Sequence, residues 1–291
     1  MPALPAGQGD VVVVGTIFAR LNVQAMLPTL CEVIDDWRPN LVVRESAEYA
    51  SALAAESRGV RHGRVGIGLA VTEEWTLALA GPALEEVAAG IVDRIAASPY
   101  FTRFPPSLDL ASFDVQRCRE PAPAAASLPD WWPGDERPLV YVTFGSVAAS
   151  YPGAATAYER ALEAVADLPV RVLLTVGREL QLGPVPANVH VERRVPQADV
   201  LGHAAAVVCH GGSGTTLGAI AAGVPLVLVP LFADQPFNAG RVAGTAVSLD
   251  DVRRGLERVL EDDSYRAAAE RLADEMRALP AIDDRVRELV S

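Results

Sequence analysis

Ala204-Ala205-Ala206-Val207-Val208-Cys209-His210-Gly211-Gly212-Ser213-Gly214-Thr215-Thr216 is the stretch that decides the fold. Its apolar half, Ala204 to Cys209, is short and bounded by polar residues, which suits a strand buried on both faces in a parallel sheet. The glycines that follow let the backbone approach a ligand with no Cβ in the way. Ser213 reads as the cap of a helix from about Gly214 to Ala222, whose free N–H groups and positive dipole end favour an anion. Strand, glycine-rich turn and helix start, in that order, make a phosphate cradle or a plain strand-to-helix turn of the same composition.

The neighbours narrow the choice. His210 is placed to donate a hydrogen bond to a phosphate oxygen, or as a turn histidine to bond a carbonyl. After a second buried strand, Val224 to Pro230, the chain reads Leu231-Phe232-Ala233-Asp234-Gln235-Pro236-Phe237-Asn238. Asp234 and Gln235 are adjacent acceptor and donor groups at a strand's carboxyl end, the ligand edge of an open α/β sheet. They also suit the cap of a helix starting near Pro236.

Around this core the second half alternates strand and helix. Strands at Leu139 to Val142, Val170 to Val176 and Val189 to Val191 and a helix at Ala154 to Ala166 precede the motif, giving a doubly wound pattern. Helices near Leu249 to Leu260 and Ser264 to Leu279 follow, with a terminal turn or helix at Asp283 to Leu289. Residues 119–138 turn to Pro, Ala, Ser and charge and read as an interdomain linker, on which Trp131 and Trp132 anchor the chain to a lobe or flank a cleft. In the first half, Val11 to Val14 reads as a buried strand and Leu27 to Trp37 as a helix. A strand at Leu41 to Val43, a helix at Ala47 to Ser57 ended by Gly59, a strand at Val60 to Leu69 and a helix at Leu84 to Ala97 follow. The expected domains are 1–118, the linker 119–138, and 139–291.

Composition excludes several classes. With 37 acidic and 25 basic residues the net charge is −12, which repels nucleic acid and anionic membranes. All the basic residues are arginine, a bias of genome composition. Cys31, Cys118 and Cys209 are far apart and lack metal-type spacing, so neither a disulfide framework nor a metal site is expected. His62, His190, His203 and His210 make no His-x-x-x-His pair, and Asp-x-Asp does not occur. The first ten residues lack a basic start with a long apolar core, and no uninterrupted apolar run is long enough for a bilayer, so a cytoplasmic protein without integral membrane contact is expected.

Val195-Pro196-Gln197, then His210 to Thr216, then Asp234-Gln235 and Asn238-Ala239, resemble the donor-binding signature of GT-B glycosyltransferases that use nucleotide sugars, in particular the actinobacterial natural-product group. The likeness covers roughly residues 137–243. It implies an α/β fold of two Rossmann-like doubly wound lobes with a cleft between them, here with the first lobe shortened. The resemblance sets the nucleobase on Arg194, Val195 and Gln197, the diphosphate on His210, Gly212, Ser213, Gly214 and Thr215, and the sugar hydroxyls on Asp234 and Gln235. Thr143-Phe144-Gly145-Ser146 is similar to the family's other phosphate-facing loop, with Gly145 and Ser146 reaching the diphosphate from the opposite side. Arg194 stands where many relatives carry a base-stacking tryptophan, and a guanidinium plane can also stack.

Two departures bear on mechanism. The glycine-histidine motif that supplies the family's general base is not found in Met1 to Arg20, and His62 is the only first-half histidine. After Arg241-Val242-Ala243 a further strand and loop are expected, but Gly244 to Val247 leads almost at once to the next helix. The expected activity is metal-independent, inverting transfer of a sugar from a uridine or deoxythymidine diphosphate donor to a hydroxyl of a hydrophobic small molecule, without cofactor; a homodimer is compatible with it. The alternatives are a non-catalytic nucleotide-sugar-binding auxiliary or remnant, and a nucleotide-sugar epimerase.

Overall fold

The computed structural model describes residues 8–121, 125–145, 154–177, 182–231, 235–240 and 244–290. The chain divides into two compact units, Met1–Glu120 with Leu279–Ser291, and Pro121–Ala278. Each has its own parallel sheet flanked by helices.

The first sheet contains β1 (Leu41–Glu45), β2 (Arg61–Val65), β3 (Tyr100–Thr102) and β4 (Gln116–Arg117), in that spatial order. Its strands are parallel throughout and wind in one direction. Val11–Asn22, where a strand is expected at Val11 to Val14, is instead wound as a wide π-helix that continues into the helix Val23–Trp37. Tertiary packing overrides the β preference of the valine run: Val14, Ala19 and Val23 are buried in a core with Tyr49, Leu53, Leu77 and Leu84. The combined stretch Val11–Trp37 has a mean hydropathy of 1.5 in its most apolar window, of which 17% is buried. By length and composition it could cross a membrane, although Thr16, Arg20, Asn22 and Gln24 interrupt its apolar residues.

A second correction concerns the helix expected at Leu84 to Ala97. The chain forms two helices there, Ala70–Val87 and Ile91–Ala97, broken at Gly90 with φ +72°. The first carries Pro82 and buries Glu73 as well as Leu77 and Leu84, so its buried residues do not make the single apolar stripe that periodicity detects. Glu73 meets Arg64 at 2.9 Å, both side chains 3% exposed. Burial pushes the Glu73 carboxyl up despite this guanidinium.

The second sheet contains β5 (Leu139–Thr143), β6 (Arg171–Thr175), β7 (Val189–Glu192), β8 (Ala204–Cys209), β9 (Leu226–Leu228) and β10 (Gly244–Ala246). Its order is β10-β9-β8-β5-β6-β7, all parallel. The chain therefore winds outward from β5 to β7, returns, and winds the other way from β8. This is the doubly wound pattern, with its switch point between β5 and β8. Where Gly244 to Val247 reads as a direct passage into a helix, the structure forms the short edge strand β10 beside β9. Gly244 is required there, because an added Cβ would overlap the Leu226 carbonyl. Val140, Phe144, Tyr158, Leu174, Val208 and Val227 form the core of this unit.

In the linker region, Trp131 stacks on His190 of β7 with ring centroids 4.7 Å apart, and Trp132 meets the same ring edge-on. The tryptophans thus anchor the segment on the second unit. The terminal helix Ile282–Val290, read from sequence as the end of the second lobe, groups with the first unit. Arg119 donates its N–H to the Pro280 carbonyl, and Ile282 donates to the Arg119 carbonyl.

Candidate functional site

Sheet register builds the site. Thr143 of β5 lies level with Cys209 of β8, so the residues just beyond, Gly145 and His210, meet at the carboxyl edge where the winding reverses. In an open α/β sheet this switch point is where ligands bind. Gly145 has φ +75°, and a Cβ there would lie 2.9 Å from His210 Cε1. On the other side, a Cβ on Gly212 would overlap His210 Nε2 and lie 2.9 Å from Cε1. The imidazole is therefore seated between two glycines, and neither position tolerates a larger residue without moving it.

The helix Ser213–Ala221 begins one residue earlier than expected. Gly212 occupies the cap position with φ −63° and ψ 138°, and no side-chain cap bond is formed. Ser213 is thus the first helical residue and not the cap, a correction that sets its own N–H among those of the first turn. Gly211, with φ +86°, turns the chain toward this helix, and a Cβ there would lie 3.3 Å from the Gln235 carbonyl.

Asn238, quoted in the signature but given no role from sequence, holds the turn. Its Nδ2 donates to the Gly211 carbonyl at 2.8 Å and lies 3.4 Å from Ser213 Oγ, with the residue fully buried. An amide side chain four residues after Asp234 is the only signal of this role that the sequence carries. Gln235 is 2% exposed, and its Oε1 accepts the Leu231 N–H at 2.7 Å. Gln197 Nε2 donates to Thr215 Oγ1 at 2.9 Å, linking the loop of Arg194 and Val195 to the cradle helix. Arg194 is exposed and Val195 half-buried. Ser146 and Asp234 lie outside the described residues. Burial pushes the Cys209 thiol up to about 12, so it has no nucleophilic role at neutral pH.

The structure thus brings together Gly145, Gln197, His210, Gly212, Ser213, Gly214, Thr215 and Gln235. His62 stands apart. It lies at the amino end of β2, 5% exposed, with Nε2 3.1 Å from Glu56 Oε1, on the sheet edge opposite the usual ligand edge. Among the described residues no three His, Cys, Asp or Glu side chains are grouped to hold a metal ion.

A parallel sheet reversing at a glycine-seated histidine, with a helix start beside it, defines a doubly wound α/β lobe with its switch point at these residues. Comparison with known proteins carries this to a family. Residues 11–145 match the N-terminal domain of the erythromycin biosynthesis protein CIII-like family, and residues 159–291 match its C-terminal domain. L-demethylnoviosyl transferase of Streptomyces niveus is 32% identical over 286 residues, 91% of this chain and 74% of that protein. 4'-Demethylrebeccamycin synthase of Lentzea aerocolonigenes is 38% identical over 177 residues, 57% of this chain and 41% of its own length. The crystal structure of the glycosyltransferase SnogD from Streptomyces nogalater is 28% identical with a TM-score of 0.76, covering 99% of this chain and 81% of that one. The chain belongs to this family of GT-B glycosyltransferases of actinobacterial natural-product pathways. Its alignments span about two fifths of the length of the rebeccamycin relative and about three quarters of the noviosyl relative.

Proposed function

We propose that the chain is a metal-independent inverting glycosyltransferase that moves a sugar from a uridine or deoxythymidine diphosphate donor to a hydroxyl of a hydrophobic small molecule. The observation that carries this reading is the His210 ring seated between Gly145 and Gly212, beside the start of the helix Ser213–Ala221. In the reaction the acceptor hydroxyl loses its proton to a base, its oxygen bonds the anomeric carbon, and the diphosphate leaves with the electron pair of the broken bond. Negative charge develops on the diphosphate. His210 and the N–H groups of Ser213, Gly214 and Thr215 are the donors that would stabilise it, one well-aimed donor contributing about 3 kcal/mol.

In this reading Ser146 faces the diphosphate from the β5 loop, Arg194 and Val195 hold the base, and Asp234 and Gln235 take the sugar hydroxyls. Gln197 acts by positioning Thr215. We place the protein in the cytoplasm, with the helix Val11–Trp37 as a lobe helix, since Val14, Ala19 and Val23 pack it against its own core. A homodimer is the assembly to test by sedimentation.

One observation favours a second reading, a non-catalytic nucleotide-sugar-binding protein. The only histidine of residues 1–120 is His62, and it is on the wrong edge of its sheet to serve as the base. Metal-free calorimetric titration with dTDP and UDP, followed by transfer assays with a panel of acceptors, separates the two. Ser213→Pro is the control. Proline suits a first helical position, so the fold should stand, but one phosphate-facing N–H is removed. Saturable binding weakened by Ser213→Pro with sugar transfer supports the enzyme, binding without transfer supports the second reading, and no binding refutes both.

A further inference from the structure

We propose that the first unit carries a second ligand site, for a small amphipathic carboxylate, at the amino-terminal edge of its sheet. A cavity of about 800 Å³ opens there, where β1 to β4 begin, and the terminal helix forms one wall through Arg285, Glu288 and Leu289. The helix is packed on the sheet at this point, since a Cβ on Gly63 of β2 would lie 3.8 Å from Leu289 Cδ2. The site shares no residue with the donor cradle and does not depend on the proposed reaction.

The bonding capacity left open defines the ligand. His62 Nε2 lies 3.1 Å from Glu56, and a carboxylate only accepts, so Nε2 donates and Nδ1 is an acceptor. That Nδ1 is buried without a partner. Each acid lining the cavity already accepts: Glu56 also from Arg94 at 2.9 Å, Glu288 from Arg285 at 2.7 Å, and Asp114 from Gln116 at 3.2 Å. The donors are not used up. Arg285 Nε is buried without a partner, and the exposed Arg61 side chain makes no hydrogen bond or ion pair with the described residues. The unpaired, exposed Arg61 guanidinium on the cavity wall selects a carboxylate, the group whose two oxygens match its geometry. His62 Nδ1 would take a hydroxyl or amide proton of the same molecule. Phe113 and Tyr100, in edge-to-face contact at 5.3 Å, offer an aromatic wall for its apolar body.

The test uses 4-hydroxyphenylacetate as probe, its methyl ester as the uncharged match, and the full chain both without dTDP and with it in excess. Calorimetry should show saturable binding at millimolar probe or below. Amide resonances should shift at Arg61, His62, Gly63, Gln116 and the terminal helix. The methyl ester and Arg61→Ala should each bind about tenfold more weakly or worse, the scale of one charge-assisted bond. Arg254→Ala, with a side chain 79% exposed outside the cavity, should bind as the parent does. Arg61 is exposed, so its variant should fold, and an unchanged melting temperature checks this. Absence of saturable binding, equal binding of acid and ester, an unaffected Arg61→Ala, or shifts confined to Gly211–Thr215 would each overturn the proposal.

Discussion

Gly212→Ala tests the cradle through a single methyl group. Gly212 has φ −63° and ψ 138°, a backbone conformation open to alanine, so the change introduces no backbone strain. Losing glycine at a helix cap costs about 0.5–1 kcal/mol of stability. The larger effect falls on His210. The new Cβ would overlap Nε2 and stand 2.9 Å from Cε1, against an ordinary carbon contact of about 3.5–4.0 Å. The ring must therefore move by roughly 1 Å, enough to lose an aligned hydrogen bond. If that bond goes to a phosphate, its loss is worth about 1.5–3 kcal/mol, or about 10–150-fold in Kd. Calorimetric titration with dTDP and UDP measures this, and thermal unfolding separates it from the cap effect. The decisive comparison is the double variant with His210→Ala. With the imidazole gone the methyl has nothing to displace, so Gly212→Ala should then cost donor affinity little. Undiminished affinity in Gly212→Ala, or full additivity with His210→Ala, would refute the assignment of His210 to the diphosphate.

Three further outcomes follow from the same geometry. Nothing lies within 4 Å of a Cβ on Gly214, and alanine is favoured over glycine in a helix by about 0.5–1 kcal/mol, so Gly214→Ala should raise the melting temperature while lowering dTDP affinity; unchanged affinity would place the diphosphate elsewhere. Glu73→Ala leaves the buried Arg64 guanidinium without its carboxylate and should cost about 3–5 kcal/mol in urea unfolding; a loss below about 1 kcal/mol would mean that the Ala96 and Ser98 carbonyls satisfy Arg64 alone. Burial holds the His62 imidazole below its ordinary value, so below about pH 6.5 the unfolded chain binds more protons than the native one and stability falls as pH falls. His62→Gln should flatten that slope, and an unchanged slope would assign it to other groups.

Legibility of the sequence varied with how locally each element is determined. β8 was readable to the residue, because Ala204 to Cys209 is a pure apolar run ended by glycines. The other strands of the second sheet were found within a residue or two, except β10, whose three residues are too few to show a pattern. Val11 to Val14 misled because four valines favour a strand locally, whereas burial against the helix Ala70–Val87 decides for a helix. That helix was itself hidden by Pro82 and by a buried ion pair that breaks its apolar stripe. At the site, the residue types were legible but their geometry was not. Only the structure shows that Gly145 belongs with His210 and that Gln197 turns onto Thr215. The resemblance supplied the roles, and sheet register supplied the proximity.

The return of Leu279–Ser291 to the first unit has a consequence for biosynthesis. The second unit is, in topology, an insert: the chain leaves the first unit after Glu120 and re-enters it at Leu279. On a ribosome the first unit is thus begun first and completed last, since Arg119 must wait for Pro280 and Ile282 to emerge before its bonds can close. The intervening unit can fold as soon as its own residues are free. A release defect or a cut near residue 279 would therefore leave a finished second unit attached to an unclosed first one, with the wall of the Arg61 cavity missing.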